Sequence, residues 1–121
     1  MTGHSYSQVF EASVEYFGGD EFAAKVFVDK YALQNLDGIY LELTPAAMHR
    51  RLAKEFARIE RKYPNPLDEE LIFSLLDHYK YIVPQGSPMA GIGNSYQVSS
   101  LSNCFVIGSQ ADSYGGIIRT D

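Results

Sequence analysis

Ser99 to Ser113, SSLSNCFVIGSQADS, decides how this chain is read. Its centre, Cys104-Phe105-Val106-Ile107, is the most strand-like run present, and Gly108 closes it. Ser99, Ser100, Ser102 and Asn103 supply a small polar approach. A short apolar run bounded this way reads as a buried strand. Asp112 or Ser113 then reads as the N-cap of a new helix, since a short side-chain oxygen satisfies the free N–H groups of a first turn. Cys104 is the only cysteine. One reading makes it a small buried apolar side chain, the commonest fate of a free cysteine. The other makes it a thiol at a site. No neighbouring His or Lys marks it as activated, so the local chemistry leaves both open.

Working outward, the residues before this stretch are helical in pattern. Ser5 to Phe17 repeats apolar residues at three- and four-residue steps, and Gly18-Gly19 stops it. Asp20 caps a second helix, expected to bury Phe22, Ala23, Val26, Phe27 and Tyr31. Asn35 to Gly38, NLDG, is a turn, and Ile39 to Leu43 follows as a short extended arm. Thr44-Pro45 is a helix-start signature. The third helix should run to about Lys62, with Met48, Leu52, Phe56 and Ile59 as its core stripe. Tyr63-Pro64-Asn65-Pro66 breaks the chain. A fourth helix over Asp68 to Tyr79 should line Leu71, Ile72, Leu75, Leu76 and Tyr79 along one face. One apolar stripe per helix is enough for a modest core.

The third helix carries Arg50, Arg51, Lys54, Arg58, Arg61 and Lys62, six of the ten cations in the chain. A solvated face with pairs such as Arg51–Glu55 at i,i+4 explains them better than a nucleic-acid surface. Aromatic residues interleaved for base stacking are absent, and the net charge is −5. His49 reads as a packing or surface residue, and no metal-ligand spacing links it to His4 or His78. From Pro84 the composition turns to Gly and small residues, Gln85 to Asn94. No Gly-Lys-Ser/Thr follows, so this is no P-loop. The stretch reads as an irregular connector or as backbone that comes close to a ligand.

The remaining composition excludes several classes. One cysteine permits neither an internal disulfide nor a cysteine zinc cluster, and a lone thiol suits a reducing, cytoplasmic setting. The first residues carry no basic and apolar leader. No apolar run approaches the roughly 20 residues that span a bilayer.

The run SLSNCFVIG, followed by DSYGGI and preceded by VPQGSPMAGIGN, resembles the start of the catalytic barrel in ribonucleotide reductase large chains, most closely the adenosylcobalamin-dependent (class II) type. The similarity extends upstream through EASVEYFGGDEFAAKVFVDKYAL and TPAAMHRRLAKEFARIE. It implies a mainly α chain: a helical N-terminal domain over 1–83, then the first strand and helix of an α/β barrel over 84–121. It also implies the N-terminal part of a ribonucleoside-diphosphate reductase, incomplete for catalysis without the downstream barrel. By resemblance, Cys104 matches one member of the redox cysteine pair that reduces the ribose. Ser87 matches a hydroxyl that contacts the substrate nucleotide, and Asn103 and Cys104 match the pair flanking its sugar. Asp112, Ser113 and Tyr114 match the stretch that binds a deoxynucleotide effector, where a helix N-terminus favours phosphate. The implied cofactor is adenosylcobalamin, bound by parts of the enzyme outside this chain. The implied partners are a ribonucleotide substrate, a deoxynucleotide effector, a thioredoxin-type reductant and the downstream barrel; neither a membrane nor direct nucleic-acid binding is expected. Two alternatives stand beside this: a class I large-subunit fragment, and a non-catalytic helical remnant that binds nucleotide or another chain.

Overall fold

The structure, a computed structural model, describes residues 3–97, 100–102, 104 and 106. Helix α1 spans Tyr6–Tyr16. Ser5 caps it as half of a capping box: its hydroxyl accepts from the Gln8 amide, and the Gln8 side chain accepts from the Ser5 amide. Two of the free donors of the first turn are thereby satisfied reciprocally. Gly18 and Gly19 then turn the chain at φ 68° and 100°, angles that a residue with a Cβ adopts only at a cost.

Helix α2, Glu21–Val26, starts under an Asp20 cap, as its sequence predicts. It continues as a π-helical turn over Phe27–Tyr31, closed by the Ala32 amide on the Phe27 carbonyl. Ala24, Phe27 and Val28 are buried, while Phe22, expected on the inner face, is 77% exposed. The inward stripe is Ala24, Phe27, Val28 and Tyr31, at three- and four-residue steps, one position round from the expected one.

The next residues form a loop that doubles back on itself. Leu41 donates to the Leu33 carbonyl and Asn35 to that of Ile39. The Asn35 side chain accepts from the amides of Asp37 and Ile39, which fixes the NLDG turn. Tyr40 pairs with both His4 and Gln34 through isolated bridges.

Helix α3, Pro45–Glu60, begins with Pro at its first position, where a missing N–H costs nothing. It buries Met48, His49, Leu52 and Ala53. The expected stripe extended to Phe56 and Ile59, but these are 39% and 36% exposed. They face the edge of helix α4, Glu69–Leu76, and form an apolar groove with Leu67, Leu75 and Ile82. Helix α4 buries Ile72 and Leu76, while Leu71, also expected inside, is exposed. Instead of running on to Tyr79, it ends at Leu76, and the chain turns over Asp77–Tyr79 with His78 and Tyr79 at positive φ.

The core gathers Val9, Phe27, Val28, Met48, Leu52 and Leu76 from α1, the π-turn, α3 and α4. Met89 joins it from a fifth helix, α5, Gly86–Gly91. The sequence offered either an irregular connector or backbone close to a ligand there, and no helix. Fully burying one such side chain stabilises by roughly 1.5–3 kcal/mol, so this short segment is anchored by packing.

The strand expected over Cys104–Ile107 does not form at the positions described. Cys104 and Val106 lie in no strand and are exposed, Val106 fully so at 102%. An apolar run holds strand geometry only where a neighbour takes its N–H and C=O groups, and no strand is present among the described residues. Phe105, Ile107 and the helix expected from Asp112 lie outside the described residues. No helix among those described is long and apolar enough to cross a membrane.

Candidate functional site

Helix α5 is the described element nearest to a site expected from the sequence, because Ser87 lies in its first turn. Its sequence, GSPMAG, is a poor helix former: each glycine costs about 1 kcal/mol relative to alanine. It has no side-chain N-cap, and six residues fall well short of a self-sustaining helix. Tertiary contacts hold it at both ends. At the start, a Cβ on Gly86 would lie 3.0 Å from the Tyr31 hydroxyl, so the π-turn packs directly on the backbone there. At the end, each carbonyl has a donor. The Ile92 amide donates to Pro88, the Asn94 side chain to Ala90, and the Asn94 amide to Gly91.

The carbonyls of Met89 and Ile92 are met by Arg51 of α3. Its two terminal nitrogens donate to them at 2.8 Å and 2.5 Å. The same guanidinium grips Glu42, with Nε 2.7 Å from one carboxylate oxygen and a terminal nitrogen 3.3 Å from the other. Glu42 is 4% exposed and also accepts from the Leu33 amide. The sequence suggested Arg51–Glu55. In the fold Glu55 is taken by Arg58, and Arg51 turns inward to Glu42. Gly93 sits beside the Arg51 stem at φ +73°, and a Cβ there would lie 3.0 Å from the Arg51 Cγ.

Residues after α5 separate two depressions. One, of 210 Å³, is lined by Tyr31, Gln34, Ala90, Asn94 and Gln97 among others. The other, of 560 Å³, lies over the cationic face of α3, between Arg50, Lys54, Arg58 and Arg61 and the chain at Gly93, Ser95 and Tyr96. Two of these four cations, Arg50 and Arg58, are paired with carboxylates. Arg50 bridges Glu69 and Glu70, which raises its pKa, and lies 3.9 Å over the Phe73 ring. Arg58 pairs with Glu55, whose carboxyl it holds below the usual carboxylate range.

Ser87 is partly buried, and Cys104 is an exposed free thiol. Neither lines either depression. Asn103, Asp112, Ser113 and Tyr114 lie outside the described residues. Among the residues described, no group of three or more His, Cys, Asp or Glu could hold a metal.

One polar cluster escaped sequence reasoning. His49 is fully buried, and its Nδ1 lies 3.3 Å from an Asp77 oxygen. That oxygen also accepts from the Tyr16 hydroxyl at 2.9 Å. The Tyr16 oxygen accepts in turn from the His78 amide at 2.7 Å, while the Tyr16 and His78 rings stack at 4.3 Å. Burial lowers the His49 pKa against the pull of Asp77, which favours the neutral ring. Burial and the hydrogen bond to Asp77 push the Tyr16 phenol well up, and burial raises Tyr79 to about 12. Partners 28 and 61 residues apart leave no local pattern in the sequence.

Residues 17–94 match the family model described as "Ribonucleotide reductase, all-alpha domain". The match begins at the end of α1 and runs through α5 to Asn94, so it takes in Ser87, Arg51 and Glu42. No curated protein and no solved structure matches the chain.

Proposed function

Because this chain belongs to the ribonucleotide reductase all-alpha domain family, we propose that it is the N-terminal helical part of the catalytic chain of a ribonucleoside-diphosphate reductase. The observation that carries this reading is the family match over 17–94, which falls on the packed helical unit from the end of α1 through α5. The reaction replaces the ribose 2′-hydroxyl by hydrogen. The hydroxyl oxygen leaves as water, two cysteine thiols become a disulfide, and a thioredoxin-type dithiol restores them. Cys104 is proposed as one of that pair. Its exposure as a free thiol suits a residue that must meet both a nucleotide and a second cysteine supplied by the barrel. Ser87 and Asn103 are proposed to contact the substrate, and Asp112, Ser113 and Tyr114 a deoxynucleotide effector. A lone cysteine kept as a thiol agrees with a cytoplasmic setting.

Adenosylcobalamin is the cofactor proposed for the whole enzyme, but the described residues do not fit it. The apolar groove between α3 and α4 measures 240 Å³, below the range of about 300–1,000 Å³ typical of small-ligand pockets. The larger depression is lined by charged side chains of both signs, Arg50, Lys54, Arg58 and Arg61 with Glu42 and Glu55. No step is therefore assigned to this domain through the cofactor.

The test is turnover by the enzyme formed from this chain and its barrel polypeptide, joined or added. With a thioredoxin-type reductant, the Cys104→Ser variant is expected to lose coupled turnover while still binding ribonucleotide. Retained coupled turnover would remove Cys104 from the redox pair. Activity with adenosylcobalamin and no second subunit supports the class II assignment, whereas dependence on a radical-generating small subunit would make it class I.

A further inference from the structure

We infer that Arg51 and Glu42 are a positioning pair for the substrate-facing segment 86–93. Arg51 holds the end of α5 by two backbone carbonyls, while Glu42 fixes the guanidinium that does so. The link to substrate rests on the reductase reading of Ser87; the clamp rests on geometry alone.

Helix α5 cannot set its own position. It is six residues long, contains Gly86, Pro88 and Gly91, and has no side-chain N-cap. Short helices of this kind take their shape from outside contacts. The Met89 and Ile92 carbonyls are the last places where the chain can be held before it leaves Gly93. One planar group meets both, with separate nitrogens. Its remaining donors go to a carboxylate that is itself tied to the Leu33 amide. The π-turn residue Tyr31 packs on the opposite end of the same helix, at Gly86. The loop at Leu33, the arm at Glu42, α3 and α5 are therefore fastened at one point.

A buried ion pair contributes little net stability, because desolvation offsets the Coulombic gain. What this pair contributes is geometry. The Arg51 side chain is 9% exposed and that of Glu42 is 5% exposed, so few alternative partners compete. Lysine would keep the charge but lacks the flat fork that serves two carbonyls and a carboxylate together. The variant Arg51→Lys therefore separates charge from positioning.

Two measurements decide the matter. The first is amide hydrogen exchange of Met89, Ile92 and Asn94, whose N–H groups close the helix and the turn after it. In the 121-residue chain, Arg51→Lys and Glu42→Gln are expected to speed exchange there by roughly tenfold or more, with α1 unchanged. Arg58→Lys, which alters only the exposed pair with Glu55, should do nothing. Unchanged exchange at α5 in both variants would overturn the clamp.

The second is steady-state kinetics of the chain with its barrel. Misplacing a substrate contact by about 1 Å can cost on the order of 100-fold. Arg51→Lys should lower kcat/KM by about 10- to 100-fold, chiefly through KM. An unchanged KM in an enzyme whose wild type turns over would overturn the positioning role. If the wild type binds no ribonucleotide while exchange still accelerates, the reductase reading fails and the clamp stands.

Discussion

Tyr16 links α1 to the turn after α4 through a single oxygen, which donates to Asp77 and accepts from the His78 amide. The turn it holds is costly. His78 and Tyr79 have φ of 57° and 55°, a left-handed conformation that residues with a Cβ adopt at a cost of order 1 kcal/mol or more each. Tyr16→Phe keeps the stack on His78 but removes both hydrogen bonds. It is expected to destabilise the chain by about 1–2 kcal/mol, read as a lower urea midpoint with an unchanged slope. An unchanged midpoint would mean that packing alone holds the turn. None of this was legible beforehand, because Tyr16, His49 and Asp77 meet only after three helices have packed. The sequence reading left His49 between packing and surface, and burial decides for packing.

At the scale of elements, helix starts were legible and inward faces were not. The helices expected from Ser5, Asp20, Thr44-Pro45 and about Asp68 begin there; Asp20 caps as expected, Thr44 makes no side-chain cap bond, and the Ser5 and Asp68 caps were seen only in the structure. Caps are local, since the group that satisfies a free N–H lies two or three residues away. Ser5→Ala should lower stability by roughly 0.5–2 kcal/mol, measured by thermal unfolding. The inward face of α2 was misread because two adjacent stripes keep helical spacing there, and packing selects Ala24, Phe27, Val28 and Tyr31 over the one that begins at Phe22. Helix α5 was missed for the opposite reason. Its residues argue against a helix, and the donors that make it one come from Arg51 and Asn94. Gly93 belongs to that arrangement through both its positive φ and the nearby Arg51 stem. Gly93→Ala is accordingly expected to destabilise by about 1 kcal/mol or more and to speed amide exchange at Ile92 and Asn94. Wild-type exchange at those two amides would show that the backbone there tolerates a Cβ.

Across the whole molecule, buried His49 makes stability depend on pH. Its folded pKa lies below the unfolded value of about 6.5, so the unfolded chain takes up the proton first. The contribution is complete above about pH 6.5 and is lost as the pH falls from there towards the folded pKa. Asp77 and Glu42 act against the shift, and His78 acts with it. A fall in the urea midpoint as the pH drops below about 6.5 is expected, and it should vanish in His49→Gln. If the slope persists in that variant, other groups carry it. The amino-acid sequence by itself determined that the chain is mainly helical, where most helices start, and the family to which residues 17–94 belong. These follow from local capping, periodicity and motif spacing, which act over a few residues or are read along the chain. Tertiary structure alone decided that Arg51 turns to Glu42 and to α5, that His49 is buried against Asp77, and that Cys104 and Val106 lie exposed outside any strand. Each depends on a partner distant in sequence, or on the lack of one among the described residues, and such partners are chosen by packing.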